Sequence, residues 1–257
     1  MIERLDKYLV EAGIESRSKV KDLIKKGRIS VNGTNKLKPE LKIDTNKDTI
    51  TFDGKRILVN EFEYFMLNKP SGIISSSNDK KQKTVVDLIT TKTRKDLFPV
   101  GRLDKDTHGL IIISNDGDLA HKLLSPKRHV AKTYFLKARG KINNSVIKKF
   151  DEGIWLNDFK TMPAALQILK YTNEEINYID ENSRENLTYK GDVTYCNITI
   201  KEGKYHQIKR MFKAINSEVL YLQRISMGNL KLDTSLKEGE FRELTALELD
   251  DLKHLIE

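Results

Sequence analysis

Ten consecutive residues concentrate the side chains best suited to chemistry: Gly101-Arg102-Leu103-Asp104-Lys105-Asp106-Thr107-His108-Gly109-Leu110, with the apolar run Ile111-Ile112-Ile113 directly behind them. Asp104 stands between Arg102 and Lys105, and glycines bracket the group. A carboxylate that cations hold at a strand end stays ionised and can serve as a nucleophile or base. Taken alone, the ten residues read first as a tight turn around a solvated Asp. The rest of the chain has to tip that balance.

The elements around this loop follow from local patterns. Leu97-Phe98-Pro99-Val100 leads into it, and Leu110 to Ser114 is predicted as the strand that leaves it. Asn115-Asp116-Gly117-Asp118 then makes a turn into a short helix holding Leu119, Leu123 and Leu124. Upstream, Tyr64-Phe65-Met66-Leu67 reads as a strand and Asn68-Lys69-Pro70-Ser71-Gly72 as a turn. Ser75 to Lys83 is a polar loop, and Thr84 to Ile89 is predicted to start a helix. Downstream, Thr133, Phe135 and Lys137 alternate with Tyr134, Leu136 and Ala138, which predicts a strand with Tyr134 on its apolar face. A structural tyrosine is the default there, although its hydroxyl is free to point into a cleft. Asn144 is placed to cap a helix through Val146, Ile147 and Phe150 that Gly153 ends. Residues 172–192 carry 6 acidic and 2 basic side chains and are expected to form a solvated hairpin on the far face, away from any polyanion. In Glu202-Gly203-Lys204-Tyr205-His206-Gln207-Ile208-Lys209-Arg210-Met211-Phe212, a glycine turn precedes a helix with Lys209 and His206 near its N-terminal end. Such a helix can aim a cation at a carboxylate in a neighbouring loop. A solvated Lys beside Arg210 is the plainer alternative.

The first 59 residues look like a unit of their own. Leu5, Leu9 and Ala12, then Val20, Leu23 and Ile24, recur at helical spacing, with Ser16 at an N-cap position and Gly13 and Gly27 where helices stop. A strand from Arg28 ends in the Asn32-Gly33 turn, Thr49 to Phe52 gives another before Asp53-Gly54, and Leu58 to Glu61 reads as a linker. This segment holds 14 Lys and Arg against 9 Asp and Glu, a net of +5 out of +9 for the whole chain. Such concentration points to phosphate binding. The candidate contacts are Arg4, Lys7, Ser16, Arg17, Lys21, Lys25 and Arg28.

Composition narrows the field. With 257 residues and 38% apolar content the chain can bury a sizeable core. Its single cysteine, Cys196, leaves no intramolecular disulfide and no cysteine-cluster metal site, and its alternation with Ile198 and Ile200 suggests a buried thiol. No apolar run approaches the roughly 18 residues needed to span a bilayer, and no signal peptide is evident, so the expected location is the cytoplasm. The five histidines show no ligand spacing.

Two resemblances now become specific. Arg4-Leu5-Asp6-Lys7, Gly13, Ser16-Arg17, Leu23-Ile24, Gly27 and Val31-Asn32-Gly33 resemble the S4 RNA-binding domain. The later motifs resemble the RNA pseudouridine synthases: the Asn-Lys-Pro-x-Gly turn, the Gly-Arg-Leu-Asp loop with Thr107 and Gly109-Leu110, the Lys-Thr-Tyr strand and the His-Gln-Ile-Lys helix, in that order. Within that family the likeness is to the branch that modifies one uridine of small-subunit (16S) ribosomal RNA, and a sibling branch acting on large-subunit RNA shares most of these residues. The resemblance implies an α+β fold: an S4 domain at 1–59 and a catalytic domain at 60–257 built on a mixed, mainly antiparallel sheet flanked by helices. It implies Asp104 as catalytic nucleophile, Tyr134 as the active-site tyrosine and Lys209 as the cation paired with Asp104. Gly239 to Thr245 is a shared framing stretch.

The implied reaction breaks the bond from N1 of uracil to the sugar and joins C5 to the same carbon. No electron or phosphate is exchanged, so neither metal nor cofactor is expected. Asp104 can attack the sugar carbon, attack the ring, or promote elimination through the sugar, and the sequence does not choose. The target must leave its stack, and Arg102, whose planar guanidinium stacks and binds phosphate together, is suited to fill the vacated space. The expected partner is ribosomal RNA, within a partly assembled small subunit, bound by a monomer away from any membrane. Two other classes compete. One is a non-catalytic S4-domain ribosome-assembly factor. The other is a Mg²⁺-dependent aspartyl phosphotransferase, whose Asp-x-Asp-x-Thr pattern Asp104-Lys105-Asp106-Thr107 approaches, although Thr107 stands one position early, His108 holds the Thr position, and there the motif follows a long apolar strand.

Overall fold

A computed structural model describes the chain except Met1, Asn46, 58–61, Thr93, 180–184 and Glu257, and the side chain of Glu11. The chain divides into two compact units, residues 1–63 with 90–97, and 64–89 with 98–257. The linker expected at Leu58 to Glu61 and the boundary expected at 59/60 lie outside the described residues.

In the first unit, β1 (Ile2–Arg4) runs into α1 (Leu5–Glu11), then α2 (Arg17–Lys25), β2 (Ile29–Val31), β3 (Lys42–Asp44), β4 (Ile50–Phe52) and β5 (Lys55–Arg56). Leu5, Leu9, Val20 and Ile24 are buried as their spacing predicts, against Ile29, Ile43 and Ile50. β2, β4 and β5 form one small sheet, and β1 pairs with β3. Ser16 occupies the N-cap of α2 but makes no capping hydrogen bond. Its hydroxyl lies 3.4 Å from that of Ser18 instead.

The second unit is built on a mixed sheet. Its strands are β6 (Tyr64–Lys69), β7 (Phe98–Val100), β8 (His108–Ser114), β9 (Lys132–Arg139), β10 (Ala165–Ile179), β11 (Asn186–Ile200), β12 (Val219–Met227), β13 (Leu230–Lys231) and β14 (Phe241–Glu243). The order is β10-β11-β9-β12-β8-β6-β14, with β13 on β12 and β7 on β8. Among the described residues only the β12–β8 pairing is parallel; the others are antiparallel, as expected. Four helices flank it: α3 (Gly117–Leu124), α4 (Ser145–Asp151), α5 (Gln207–Lys213) and α6 (Ala246–His254). Leu119 and Leu123 of α3 and Leu252 of α6 pack with Leu110, Ile112 and Met227. Phe150 of α4 meets Phe212 of α5 with ring centroids 5.3 Å apart. Cys196 is fully buried, and burial pushes its thiol up to about 12. No described helix is long and apolar enough to cross a membrane.

Two local expectations change. The helix expected from Thr84 is a single 3-10 turn at Val86–Leu88: the Thr84 and Asp87 side chains bond reciprocally, as at a helix start, but the chain is already extended at Ile89, with ψ 93°. Asn144 stands at the N-cap of α4 without capping it; the neighbouring Asn143 accepts from the Ser145 amide at 3.0 Å.

Candidate active site

The Asp104 loop hangs between β7 and β8, and four kinds of contact hold its shape. Gly101 has φ +81°, and a Cβ there would fall 2.8 Å from Leu124. The Ser75 hydroxyl donates to the Leu103 carbonyl at 2.8 Å and accepts from its amide at 3.0 Å. The Thr107 amide donates to the Asp104 carbonyl at 3.1 Å. Beneath the loop lies Lys69, fully buried, whose Nζ donates to the carbonyls of Pro70, Lys105 and Thr107 at 3.1, 3.0 and 2.8 Å. Burial pushes the Lys69 ammonium down to about 8, while Asp106 and Asp104 pull it the other way. A buried cation aimed at carbonyls is therefore the bracket of the loop.

Asp104 lines a cleft of about 970 Å³ together with Arg102, Lys132, Tyr134, Tyr205 and Arg224. Its side chain is 31% exposed, and Oδ1 lies 3.6 Å from Nε2 of His206. Tyr134 is 8% exposed and sits in β9 between Ile198 of β11 and Arg224 of β12. Arg102 is exposed, and among the described residues no hydrogen bond or ion pair holds it.

The pairing expected for Lys209 is corrected. Its Nζ lies 2.8 and 2.6 Å from the two carboxylate oxygens of Asp106, not on Asp104. The turn closed by Thr107 directs the two carboxylates apart. His206 enters α5 in the left-handed conformation, with φ 48°, and takes the place beside Asp104. Burial lowers the His206 imidazole below its ordinary value; Asp104 opposes this and Lys209 adds to it. An imidazole so placed beside a carboxylate can accept or donate a proton.

Arg224, Lys132 and Lys69 were not recognised from the sequence. Arg224 is 2% exposed; Nε donates to the Leu110 carbonyl at 2.7 Å, and Nη2 is buried without a partner. Its backbone runs hard against Gly109, where a Cβ would fall 2.3 Å from the Arg224 carbonyl oxygen. Burial and the Arg224 charge push Lys132 down to about 8. One signal was present: Leu220, Leu222 and Arg224 share one parity of β12, so an arginine stands on the buried face of an alternating strand.

The acidic segment is also corrected. It does form a hairpin, from the ends of β10 and β11, but not on a far face. Ile176 and Val193 pack on Leu220, and Asn177, Tyr178 and Thr188 line a cavity of about 470 Å³ with Asp106, His108 and Lys209. The apolar parity of the ribbon bends it onto β12.

The proposed S4 contacts Arg4, Lys7, Ser16, Arg17, Lys21, Lys25 and Arg28 are all exposed. Arg17, Lys21 and Lys25 stand four apart along α2 and share one face. Arg4 is engaged, donating to the buried Asp6 through Nε and Nη2 at 2.9 Å each, which holds the Asp6 carboxyl below its usual range. Arg28 pairs with Asp53.

Comparison with known proteins decides the class. The RNA pseudouridylate synthase model matches residues 63–214, and the S4 domain model matches 3–48. The chain belongs to the RNA pseudouridylate synthase family. The synthase is 42% identical over 96% of its length to an uncharacterised RNA pseudouridine synthase of Bacillus subtilis, covering 96% of that protein. It is 37% identical to ribosomal large subunit pseudouridine synthase B of Bacillus subtilis, over 99% of this chain and 97% of that one. It is 34% identical to ribosomal small subunit pseudouridine synthase A of Haemophilus influenzae, over 97% and 99%. A crystal structure of a pseudouridylate synthase matches 97% of the chain and 99% of its own, at 33% identity and a TM-score of 0.62. The synthase is thus an RNA-modifying isomerase with an S4 RNA-binding domain, and the non-catalytic reading falls. The phosphotransferase reading falls with it: only three residues of β7 precede the loop, and Asp106 is locked to Lys209.

Proposed function

We propose that the synthase converts one uridine of ribosomal RNA to pseudouridine with Asp104 as the nucleophile. The observation that carries this reading is a partly exposed carboxylate on a braced loop, facing a cleft that also holds Tyr134. The N1–C1′ bond breaks and C5 joins C1′. C5 then loses its proton and N1 gains one, so nothing is oxidised or reduced. Tyr134 lies against the uracil ring, and His206, beside Asp104, is the group placed to relay the proton. Lys209 acts through Asp106, fixing the far side of the loop. Arg102 enters the stack that the target vacates. The S4 unit, taken as residues 1–59, grips phosphates through Arg4, Lys7, Ser16, Arg17, Lys21, Lys25 and Arg28, and residues 60–257 carry the chemistry. Substrate and enzyme meet in the cytoplasm, one copy of the chain acting on a partly assembled small subunit.

The short S4 domain with the Glu-Gly-Lys-Tyr-His-Gln block favours the small subunit. A second reading, the large subunit, is favoured by the 37% identity to synthase B. Mapping pseudouridine in total ribosomal RNA, from cells lacking the protein and complemented with wild type or Asp104→Asn, tests both. One small-subunit site should vanish and return only with wild type. Loss of a large-subunit site moves the target, and restoration by Asp104→Asn overturns the nucleophile.

A further inference from the structure

At the cleft, where Tyr205 is part of the lining, and on the loop beside it the synthase exposes aromatic surface that its own fold does not use. Tyr205 is 77% exposed and Trp155, the chain's single tryptophan, 73%. Tyr205 does not dangle. Its ring stacks on His206 with centroids 3.7 Å apart and planes 17° from parallel, and that same His206 lies 3.6 Å from Asp104. One face of a stacked aromatic pair therefore continues outward from Asp104.

Beside it, residues 154–161 form a tight loop closed by the Leu156 amide on the Phe159 carbonyl at 2.8 Å and the Thr161 amide on the Ile154 carbonyl at 2.9 Å. Lys204 and Arg210 sit over the Phe159 ring at 5.7 and 5.3 Å, and Asp158 pairs with Arg210. This joins the loop bearing Trp155 to the segment bearing Tyr205. The carboxylates nearby are spent internally: Glu202 accepts from the Gln207 amide group at 2.7 Å and from the Met162 backbone at 2.8 Å. Lys160 and Lys201 make no ion pair among the described residues. The patch is thus aromatic and net positive, a combination that suits unpaired nucleotides better than an apolar protein face, because every base offers a π-face and every link a phosphate.

We propose that Tyr205 and Trp155 form a stacking platform for the unpaired nucleotides that flank the target uridine. One neighbouring base lies on the Tyr205–His206 stack, and the strand continues across Lys204 and Arg210 to Trp155. Because the Tyr205 ring is already held by His206, stacking on it costs little ordering. This rests on Asp104 marking the seat of the target, but the platform is tested by binding alone.

The full chain is titrated with a single-stranded decauridylate and with a ten-base-pair RNA duplex, following Trp155 emission and the anisotropy of labelled RNA. Decauridylate should quench Trp155 and the duplex should not. Tyr205→Ala should weaken decauridylate binding about tenfold, within the range for loss of one base–aromatic stack, and Tyr205→Phe should restore it. The readout is binding and not turnover, so a failure of the nucleophile assignment leaves this result standing. Equal quenching by duplex, absence of quenching, or wild-type affinity in Tyr205→Ala overturns the platform. Both Tyr205 variants alter an exposed side chain, and unchanged circular dichroism separates lost binding from lost fold.

Discussion

Replacing Lys69 by Met keeps an unbranched side chain, one atom shorter, and removes the buried charge beneath the Asp104 loop. Three hydrogen bonds are lost, to the carbonyls of Pro70, Lys105 and Thr107. The Lys105 carbonyl keeps the Gly72 amide at 2.8 Å. Hydrogen bonds to a charged group contribute about 1.5–3 kcal/mol each, about 4.5–9 for the three. Against this, Met escapes the desolvation that moves the ammonium from 10.5 to about 8, a penalty of about 3 kcal/mol. The expected net loss is about 1–6 kcal/mol, read from urea unfolding at pH 7. Activity should fall further than stability alone explains, because the loop carrying Asp104 loses its bracket. The sign of the pH effect gives a second readout. A folded value below the unfolded one means that between pH 8 and 10.5 the unfolded chain holds the extra proton, so wild-type stability should climb with pH relative to Lys69→Met. A variant within about 0.5 kcal/mol of wild type at pH 7, fully active and with a parallel pH profile, would refute the argument that a buried ammonium shapes this site.

His206→Gln should flatten a loss of stability that wild type shows as pH drops below the ordinary histidine value. The folded imidazole is depressed by burial, so its contribution is full above the unfolded value and is lost as pH falls through the folded one; identical profiles from pH 7 to 5 would remove His206 from consideration. Arg224→Met should cost no more than about 1 kcal/mol, since a buried guanidinium with one orphaned nitrogen gives way to an apolar side chain. It should also raise the Lys132 value measured by NMR titration, because Arg224 is among the causes that depress it. In the S4 unit, the triple change Arg17→Ala, Lys21→Ala and Lys25→Ala should weaken RNA binding at every sequence and reduce the slope of log affinity against log salt by about 2, at roughly 0.7 per phosphate contact on a single strand. An unchanged slope would mean that this face of α2 does not meet RNA.

The sequence by itself determined what short-range pattern can encode. Helical spacing fixed α1 and α2, strict alternation put Tyr134, Leu136 and Ala138 on the buried side of β9, and five motifs in order were enough for the family and the fold class. Tertiary structure decided which cation meets which carboxylate. Asp104 and Asp106 are two residues apart and Lys209 is about a hundred further on, so only the turn at Thr107 and the left-handed entry at His206 settle that Lys209 takes Asp106 while His206 faces Asp104. The charge count of residues 172–192 described a solvated ribbon; the bend that buries Ile176 and Val193 on Leu220 and brings the ribbon beside Lys209 depends on strand β12, some thirty residues later. Arg224 and Lys69 are further examples of the same division. Their charges are legible in the sequence, but their burial comes from packing contributed by distant strands, and it is burial that turns a surface cation into one that braces a loop or waits for a partner.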